Sequence, residues 1–381
     1  MMKKIRILHI IGTFLNGGTE RLMLDILSRL DKKIFDVTAC SYGNQYLSSV
    51  VEAFQQAGIK IINFHFPAGI RLLWILNRYI RTNRFHIVHT HHYTANMYCR
   101  PAAILAQTPL IMTYQHNWPM REKERHRRVF HLLNKWTYKN ITVSDALRDY
   151  DIEKVGVSPD KVVTIHNGIN TELFRPGTKV EIFEFRQSLG ISPKSIIIGV
   201  VGRLVITKSI DVIIKAMPAI LQVHPNTYLI IAGEGDMRDS LEKLALKLGI
   251  REQVKFLGWV GNTAKIFHGL DIFCFSSGAP PSNFSDGFGL VTVEAMASGI
   301  PVVAIDNKVN REIITERCGL FCKPTPNDLA MKINLLIDDP ELRSNLGQNG
   351  RRRTAEVFNI ERTVQQLSNI YLQAMRLCEE K

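Results

Sequence analysis

The chain has 381 residues, 45% of them hydrophobic and 22% charged, which exceeds one ordinary core, calls for two domains and excludes a disordered or fibrous polymer. Its 48 lysines and arginines outnumber 35 aspartates and glutamates for a net charge of +13, a balance that bears on partners more than on fold. No segment has the unbroken apolar length that spans a bilayer, and six cysteines without a C-x-x-C pair argue against a disulfide framework or a zinc site and for the reducing cytosol.

The amino terminus, Met1 to Phe14, has the lysines and apolar run of a signal peptide, but it continues into Asn16-Gly17-Gly18-Thr19-Glu20 with no small-residue cleavage pattern. It reads as a first buried strand. From Lys4 to about Thr164, short β-branched runs at 5–11, 37–40, 59–63, 86–90, 110–113, 140–143 and 162–165 alternate with segments of helical period. That is the pattern of a doubly wound parallel sheet. Within it, Arg121, Lys123, Arg125, Arg127 and Arg128 crowd together with His126, and Phe130, Leu132, Leu133 and Trp136 follow at near-helical spacing. A helix of this kind suits an anionic membrane surface, and it equally suits a solvated face whose aromatic stripe packs on its own domain. No nucleic-acid module accompanies the basic balance, so nucleic acid is not an expected partner.

A polar stretch with Asn167-Gly168, Pro176-Gly177 and Ser192-Pro193 interrupts the alternation and reads as the interdomain link. The boundaries drawn from it are 1–180 and 181–359. The alternation resumes with strands at 196–202, 228–232, 254–257, 272–275, 301–305 and 319–322, a second doubly wound sheet. A last helix over 359–377 carries Ile360, Val364, Leu367, Ile370, Tyr371 and Met375 at helical spacing. Neither repeats nor low-complexity tracts stand out.

The most informative stretch runs from Asp286 to Ala304, where two carboxylates, Asp286 and Glu294, flank a glycine-rich turn into a helix. Gly287 and Gly289 let backbone approach a ligand closely, and the N–H groups near Leu290 and Val291 offer a diphosphate a partly positive cradle. An acidic helix cap over a buried face is the plainer reading of the same residues. In open α/β sheets ligands bind at the carboxyl ends of the strands, and every loop of chemical interest in this chain lies there. Gly17-Gly18-Thr19-Glu20 follows the first strand and opens a helix, though without the third glycine of a dinucleotide fingerprint.

Acidic-Gly-Phe-Gly-Leu at 286–290, Glu294-Ala295-Met296-Ala297 and then Gly299-Ile300-Pro301-Val302-Val303-Ala304 resembles the signature of the family 4 retaining glycosyltransferases. The resemblance covers nearly the whole chain and is strongest from Val200 to Ile305. It implies a GT-B fold, two Rossmann-like domains facing a central cleft, with the last helix, 360–381, crossing back to the first domain. It also implies transfer of a sugar from a nucleotide diphosphate donor, UDP or GDP, to an acceptor hydroxyl with retained configuration, and closure of the domains to exclude water.

In the resembled family the Arg and Lys matching Arg203 and Lys208 grip the diphosphate, so that neither a metal nor a cofactor is expected. Glu294 would hold the ribose, Asp286 the sugar hydroxyls and His116 the transferred sugar. Asp286, His116, Arg203 and Lys208 form the expected catalytic set. Gly17, Gly18, Gly233, Glu234, Gly258, Gly287, Phe288, Gly289, Leu290 and Val291 complete the donor site. His89 and His91 buttress their loop, and as a pair they lack the further ligands of a metal site. The acceptor implied is a lipid-linked or envelope saccharide at the cytoplasmic membrane face.

The chain departs from the family in three places. Aspartate replaces the usual glutamate at 286, Asn170 replaces an acid, and residues 278–285 are inserted beside the sugar site. Two rival readings stay open: a nucleotide-sugar epimerase on the same scaffold and, given Asp286, the inserted loop and the basic helix, a non-catalytic binding protein for sugar nucleotides or membrane surfaces.

Overall fold

The computed structural model describes residues 4–15, 17–119, 124–279 and 286–380. Its contacts divide the chain into two compact units, one running to Gly168 and resuming at Ile360, the other spanning Ile169–Asn359. Both are α/β units built on a parallel sheet.

The first unit holds β1 (Ile5–Ile11), β2 (Phe35–Ser41), β3 (Lys60–Asn63), β4 (Ile87–His91), β5 (Leu110–Gln115), β6 (Lys139–Thr142) and β7 (Val162–Thr164). Their spatial order is β3-β2-β1-β4-β5-β6-β7, with every pairing parallel. The seven runs marked in the sequence are these strands, shifted by one or two residues at their ends. Alternation along β1 divides its side chains between the two faces of the sheet. Leu8 and Ile10 join Val88 and Ile111 in a core that includes Leu72, Leu76 and Ile80 of the helix Ile70–Asn83. His9 takes the other face, in register with His89 of β4.

The helix Ile360–Glu379 belongs to this first unit. Ile360, Val364, Leu367, Tyr371 and Ala374 are buried at steps of four and three residues, a single apolar stripe. Arg29 Nε donates to Glu361 Oε1 at 3.1 Å, and Thr363 Oγ1 donates to the His166 carbonyl at 2.9 Å. The basic stretch forms the helix Glu124–Leu133, while 121–123 lie outside the described residues. Its apolar side chains split two ways. Phe130 and Leu133 are buried, with the Arg100 guanidinium 4.1 Å from the Phe130 ring centroid, whereas Val129, Leu132 and Trp136 are exposed.

The second unit holds β8 (Ile196–Val201), β9 (Thr227–Ala232), β10 (Val254–Gly258), β11 (Ile272–Phe275), β12 (Val302–Ile305) and β13 (Gly319–Cys322) in the order β10-β9-β8-β11-β12-β13. Again all neighbours run parallel. Ile198, Val200, Leu229, Ile231 and Val303 form its core with the helices Ile210–Val223 and Pro326–Asp338. Covered faces explain the near-continuous apolar runs of these strands.

Residues 169–180, which the sequence reading assigned to the first domain, group with this second unit. The Ile169 N–H donates to the Phe358 carbonyl at 2.9 Å, Phe174 meets Phe267 edge-on at 5.9 Å, and Arg175 grips both oxygens of Glu181 at 2.9 Å. All six cysteines are free, five of them buried. Among the described residues no helix is long and apolar enough to cross a membrane.

Candidate active site

In the second unit the order of strands reverses between β8 and β11, and a crevice opens at such a switch point beyond the strand ends. After β8 the chain runs through Gly202, Arg203 and a short 3-10 turn, Ile206–Lys208, into the helix Ile210–Val223. After β11 it runs through Ser276 and Ser277 toward Asp286. These two loops are tied together by hydroxyls. Ser276 Oγ donates to the Lys208 carbonyl at 2.7 Å, Ser209 Oγ to the Ala279 carbonyl at 2.8 Å, and Ser277 Oγ accepts from the Asp286 N–H at 3.0 Å.

That bracing brings Lys208 and Asp286 into a direct ion pair, Nζ to Oδ2, with side chains 17% and 22% exposed. The Lys208 ammonium also lies 5.6 Å from the centroid of the Phe275 ring. Arg203 stands exposed on the same loop.

The β9 loop approaches the β8 loop backbone to backbone, which is why glycines occur there. The Leu204 N–H donates to the Glu234 carbonyl at 2.9 Å, and a Cβ on Gly233, at φ +146°, would stand 1.9 Å from the Gly202 carbonyl oxygen. The Glu234 carboxylate is ion-paired with Arg238 one helical turn on. The Gly233 N–H donates to the carbonyl of Gly258, at the end of β10, at 2.8 Å.

Gly289, at φ +93°, caps the helix Leu290–Ala297 with no side-chain bond, so the helix begins on bare backbone. Leu290 and Val291 are its first residues, and Glu294 lies buried within it, 7% exposed. Gly287 is buried, and the Phe288 ring is turned inward, edge-on to Phe358 at 5.7 Å. Of the inserted residues, 280–285 lie outside the described ones. Asn170, where the family carries an acid, accepts from the N–H groups of Glu172 and Leu173 at 3.0 and 3.2 Å, a turn cap within the second unit.

In the first unit the reversal falls between β1 and β4. Gly17 and Gly18 open the helix Gly18–Arg29 beyond β1, with Glu20 in its first turn. His116 follows β5 and is 6% exposed. It does not stand alone: His9, His89 and His91 are buried beside it, with His116 Nε2 hydrogen-bonded to His91 Nδ1 at 3.0 Å and His9 Nδ1 to His91 Nε2 at 2.9 Å. Burial drives all four pKa values down, that of His89 to about 3, and neighbouring imidazoles push His9, His91 and His116 further in the same direction. The third imidazole that the sequence pair lacked is His9: one nitrogen from each of His9, His89 and His91 lies within 4.8 Å of the others.

Arg203, Lys208, Gly233, Glu234, Gly258 and the 286–294 segment thus lie at the strand ends of one unit, and Gly17, Gly18 and His116 at those of the other. Sequence reasoning missed Ser276 and Ser277, whose only signal is a pair of hydroxyls just past an apolar strand, and Ser209, one hydroxyl before a helix. It also missed His9 and Tyr371, which look like ordinary core positions until the strands are paired.

Two doubly wound parallel-sheet units with glycine-lined loops at both reversal points define the GT-B class of fold. Two family models match the chain, "Glycosyltransferase Family 4" over residues 16–173 and "Glycosyl transferases group 1" over 181–353. The chain is a family 4 glycosyltransferase.

An uncharacterized glycosyltransferase of Methanocaldococcus jannaschii is 36% identical over 242 residues, 62% of this chain and 60% of that relative. The UDP-Gal:alpha-D-GlcNAc-diphosphoundecaprenol alpha-1,3-galactosyltransferase of Escherichia coli is 24% identical over 387 residues, 97% of each chain. Among solved structures, that of Anabaena HepE in complex with UDP and glucose superimposes with a TM-score of 0.86 at 22% identity, covering 97% of this chain and 100% of that one.

Proposed function

We propose that the protein is a retaining glycosyltransferase that moves a sugar from a UDP- or GDP-sugar to the hydroxyl of a lipid-linked or cell-envelope saccharide. The observation that carries this reading is the Lys208–Asp286 pair, a fixed cation and a fixed carboxylate held side by side at the switch point where an α/β sheet takes its ligand. The E. coli relative, whose name gives a UDP-sugar donor and a diphosphoundecaprenol-linked acceptor, supports the substrate class.

In this mechanism the bond from the anomeric carbon to the β-phosphate oxygen breaks, and its electron pair leaves with the diphosphate. Arg203 and Lys208 offset the charge that develops there, the role a metal ion plays elsewhere, so turnover proceeds without one. The helix N-terminus at Leu290 and Val291 adds N–H groups to the phosphate. The sugar passes through an oxocarbenium-like state. The acceptor oxygen attacks from the face the leaving group quits, and its proton goes to the departing phosphate oxygen. Asp286 and His116 hold sugar hydroxyls, and Glu294 the ribose.

The test is a panel of UDP-, GDP- and ADP-sugars with lipid-linked saccharide acceptor in the presence of a chelator, following nucleotide release and the anomeric configuration of the product. The expected result is release of one nucleotide, UDP or GDP, and a product of unchanged configuration. Inverted product, epimerised free sugar, or a strict requirement for added divalent metal would each overturn part of the reading.

The exposed Leu132 and Trp136 beside Arg125, Arg127 and Arg128 support peripheral docking on an anionic leaflet. Flotation with phosphatidylglycerol vesicles should carry the protein, and Trp136→Ala with Leu132→Ser should weaken it. Equal flotation with uncharged vesicles would count against docking through this helix.

A further inference from the structure

Four imidazoles and one phenol in the first unit form an unbroken hydrogen-bonded row. His89 Nδ1 lies 2.6 Å from the Tyr371 hydroxyl, and that hydroxyl lies 3.4 Å from His9 Nε2. His9 Nδ1 meets His91 Nε2 at 2.9 Å, and His91 Nδ1 meets His116 Nε2 at 3.0 Å. The two ends, His89 Nε2 and His116 Nδ1, are buried without a hydrogen bond among the described residues. Strand pairing builds the row. His89 and His91 share a face of β4, His9 is in register with His89, and Tyr114, two residues before His116, is in register with His91.

Counting hydrogens restricts the row to two arrangements. Neutral imidazoles carry one N–H each and the phenol one O–H, five hydrogens for four contacts. The fifth sits at one end, either on His89 Nε2, which leaves His116 Nδ1 a bare lone pair, or on His116 Nδ1, which leaves His89 Nε2 bare. The Tyr371 contacts discriminate. A phenol is a better donor than acceptor, so the short 2.6 Å contact is the one in which it donates, to His89 Nδ1, and the long 3.4 Å contact is the one in which it accepts from His9 Nε2.

We propose that this row is a tautomer lock: Tyr371, acting through His9 and His91, holds His116 as the neutral Nε2–H form, so that His116 offers Nδ1 as a hydrogen-bond acceptor to a ligand hydroxyl. Identifying that hydroxyl as one of the transferred sugar rests on the glycosyl-transfer reading; the lock itself does not. Tyr371, His9 and His91 are positioning residues, and the last helix reaches His116 through them. A cation held by His9, His89 and His91 would have to break a hydrogen bond at His9 and at His91, both of whose nitrogens are engaged in the row, and His89 and His91 stack at 30° with centroids 4.9 Å apart.

The measurement is long-range proton–nitrogen correlation on the full chain labelled with nitrogen-15 histidine, without donor, between pH 6 and 8. The expected spectrum shows His116 as a single neutral tautomer with Nδ1 as the bare, pyridine-type nitrogen. In Tyr371→Phe the His116 nitrogens should shift toward a mixture of tautomers, with kcat lowered and the donor KM little changed. A protonated His116 Nδ1 or an imidazolium in the wild-type spectrum overturns the lock, a decision that holds even if the variant does not fold. An unchanged His116 tautomer in folded Tyr371→Phe also overturns it, as does stoichiometric uptake of added Zn2+ that perturbs His9, His89 and His91 together. Transfer at the wild-type rate by His116→Ala would instead remove the sugar contact while leaving the lock standing.

Discussion

Replacing Lys208 with alanine is expected to cut sugar transfer by about a hundred- to a thousandfold, the cost of removing one fixed group that stabilises charge in a transition state. The fold should survive. The side chain projects from a 3-10 turn whose Lys208 carbonyl is held by the Ser276 hydroxyl and which Ser209 ties to Ala279 of the facing loop, bonds that the substitution leaves in place.

Because Lys208 is engaged by Asp286 in the free protein, the two residues should separate in their effects. Lys208→Ala should weaken both nucleotide diphosphate binding and turnover. Asp286→Ala frees the ammonium, so nucleotide binding should hold or tighten while transfer falls. Asp286→Glu, which keeps the carboxylate one methylene further out, should retain more activity than Asp286→Ala. Nucleotide titration by calorimetry beside steady-state rates distinguishes these outcomes, and near-wild-type transfer by Lys208→Ala would sink the assignment of this loop as the diphosphate clamp.

Acid should unfold the first unit well before ordinary surface titration would. His9, His89, His91 and His116 are neutral in the folded chain because burial opposes their charging, and each recovers an ordinary value near 6.5 when unfolded. A base whose folded pKa is lowered contributes its full stability above the unfolded value and loses it as pH falls toward the folded one. The loss therefore begins near pH 6.5 and, for His89, continues to about pH 3. At pH 5 it amounts to about 2 kcal/mol for each histidine still neutral in the fold.

The four tryptophans allow this to be read from one unit, because Trp74, Trp118 and Trp136 lie in the first and Trp259 in the second. Urea unfolding of Trp259→Phe, followed by tryptophan fluorescence, should show a midpoint that drops sharply between pH 7.5 and 5. A midpoint that stays level over that interval would mean the cluster is charged or hydrated in the native state.

The architecture was legible because parallel strands covered on both faces leave a signal that needs no partner to be seen: Ile197-Ile198 and Val200-Val201 are buried whichever strand they pair with. The glycine and acid spacing from Asp286 to Glu294 was equally local, since a helix start with close backbone approach demands those residue types within a few positions. The last helix was visible for the same reason, as a stripe at steps of four and three.

What tertiary structure alone decided is what depends on register and on loops meeting. Nothing within 169–180 signals that Ile169 bonds to Phe358, a residue far along the chain, so the change of unit at Gly168 fell outside local reasoning. The pairing of Lys208 with Asp286 requires β8 and β11 to be neighbours, with Ser276 and Ser277 drawing their loops together. His9 reads as an isolated polar residue inside the apolar run Ile7–Ile11 until β1 pairs with β4, and Tyr371 as one more core ring until its helix covers that face. Local pattern therefore determined the elements and the residue types at their ends. Long-range pairing, which a single strand or helix cannot encode, determined which of those residues touch.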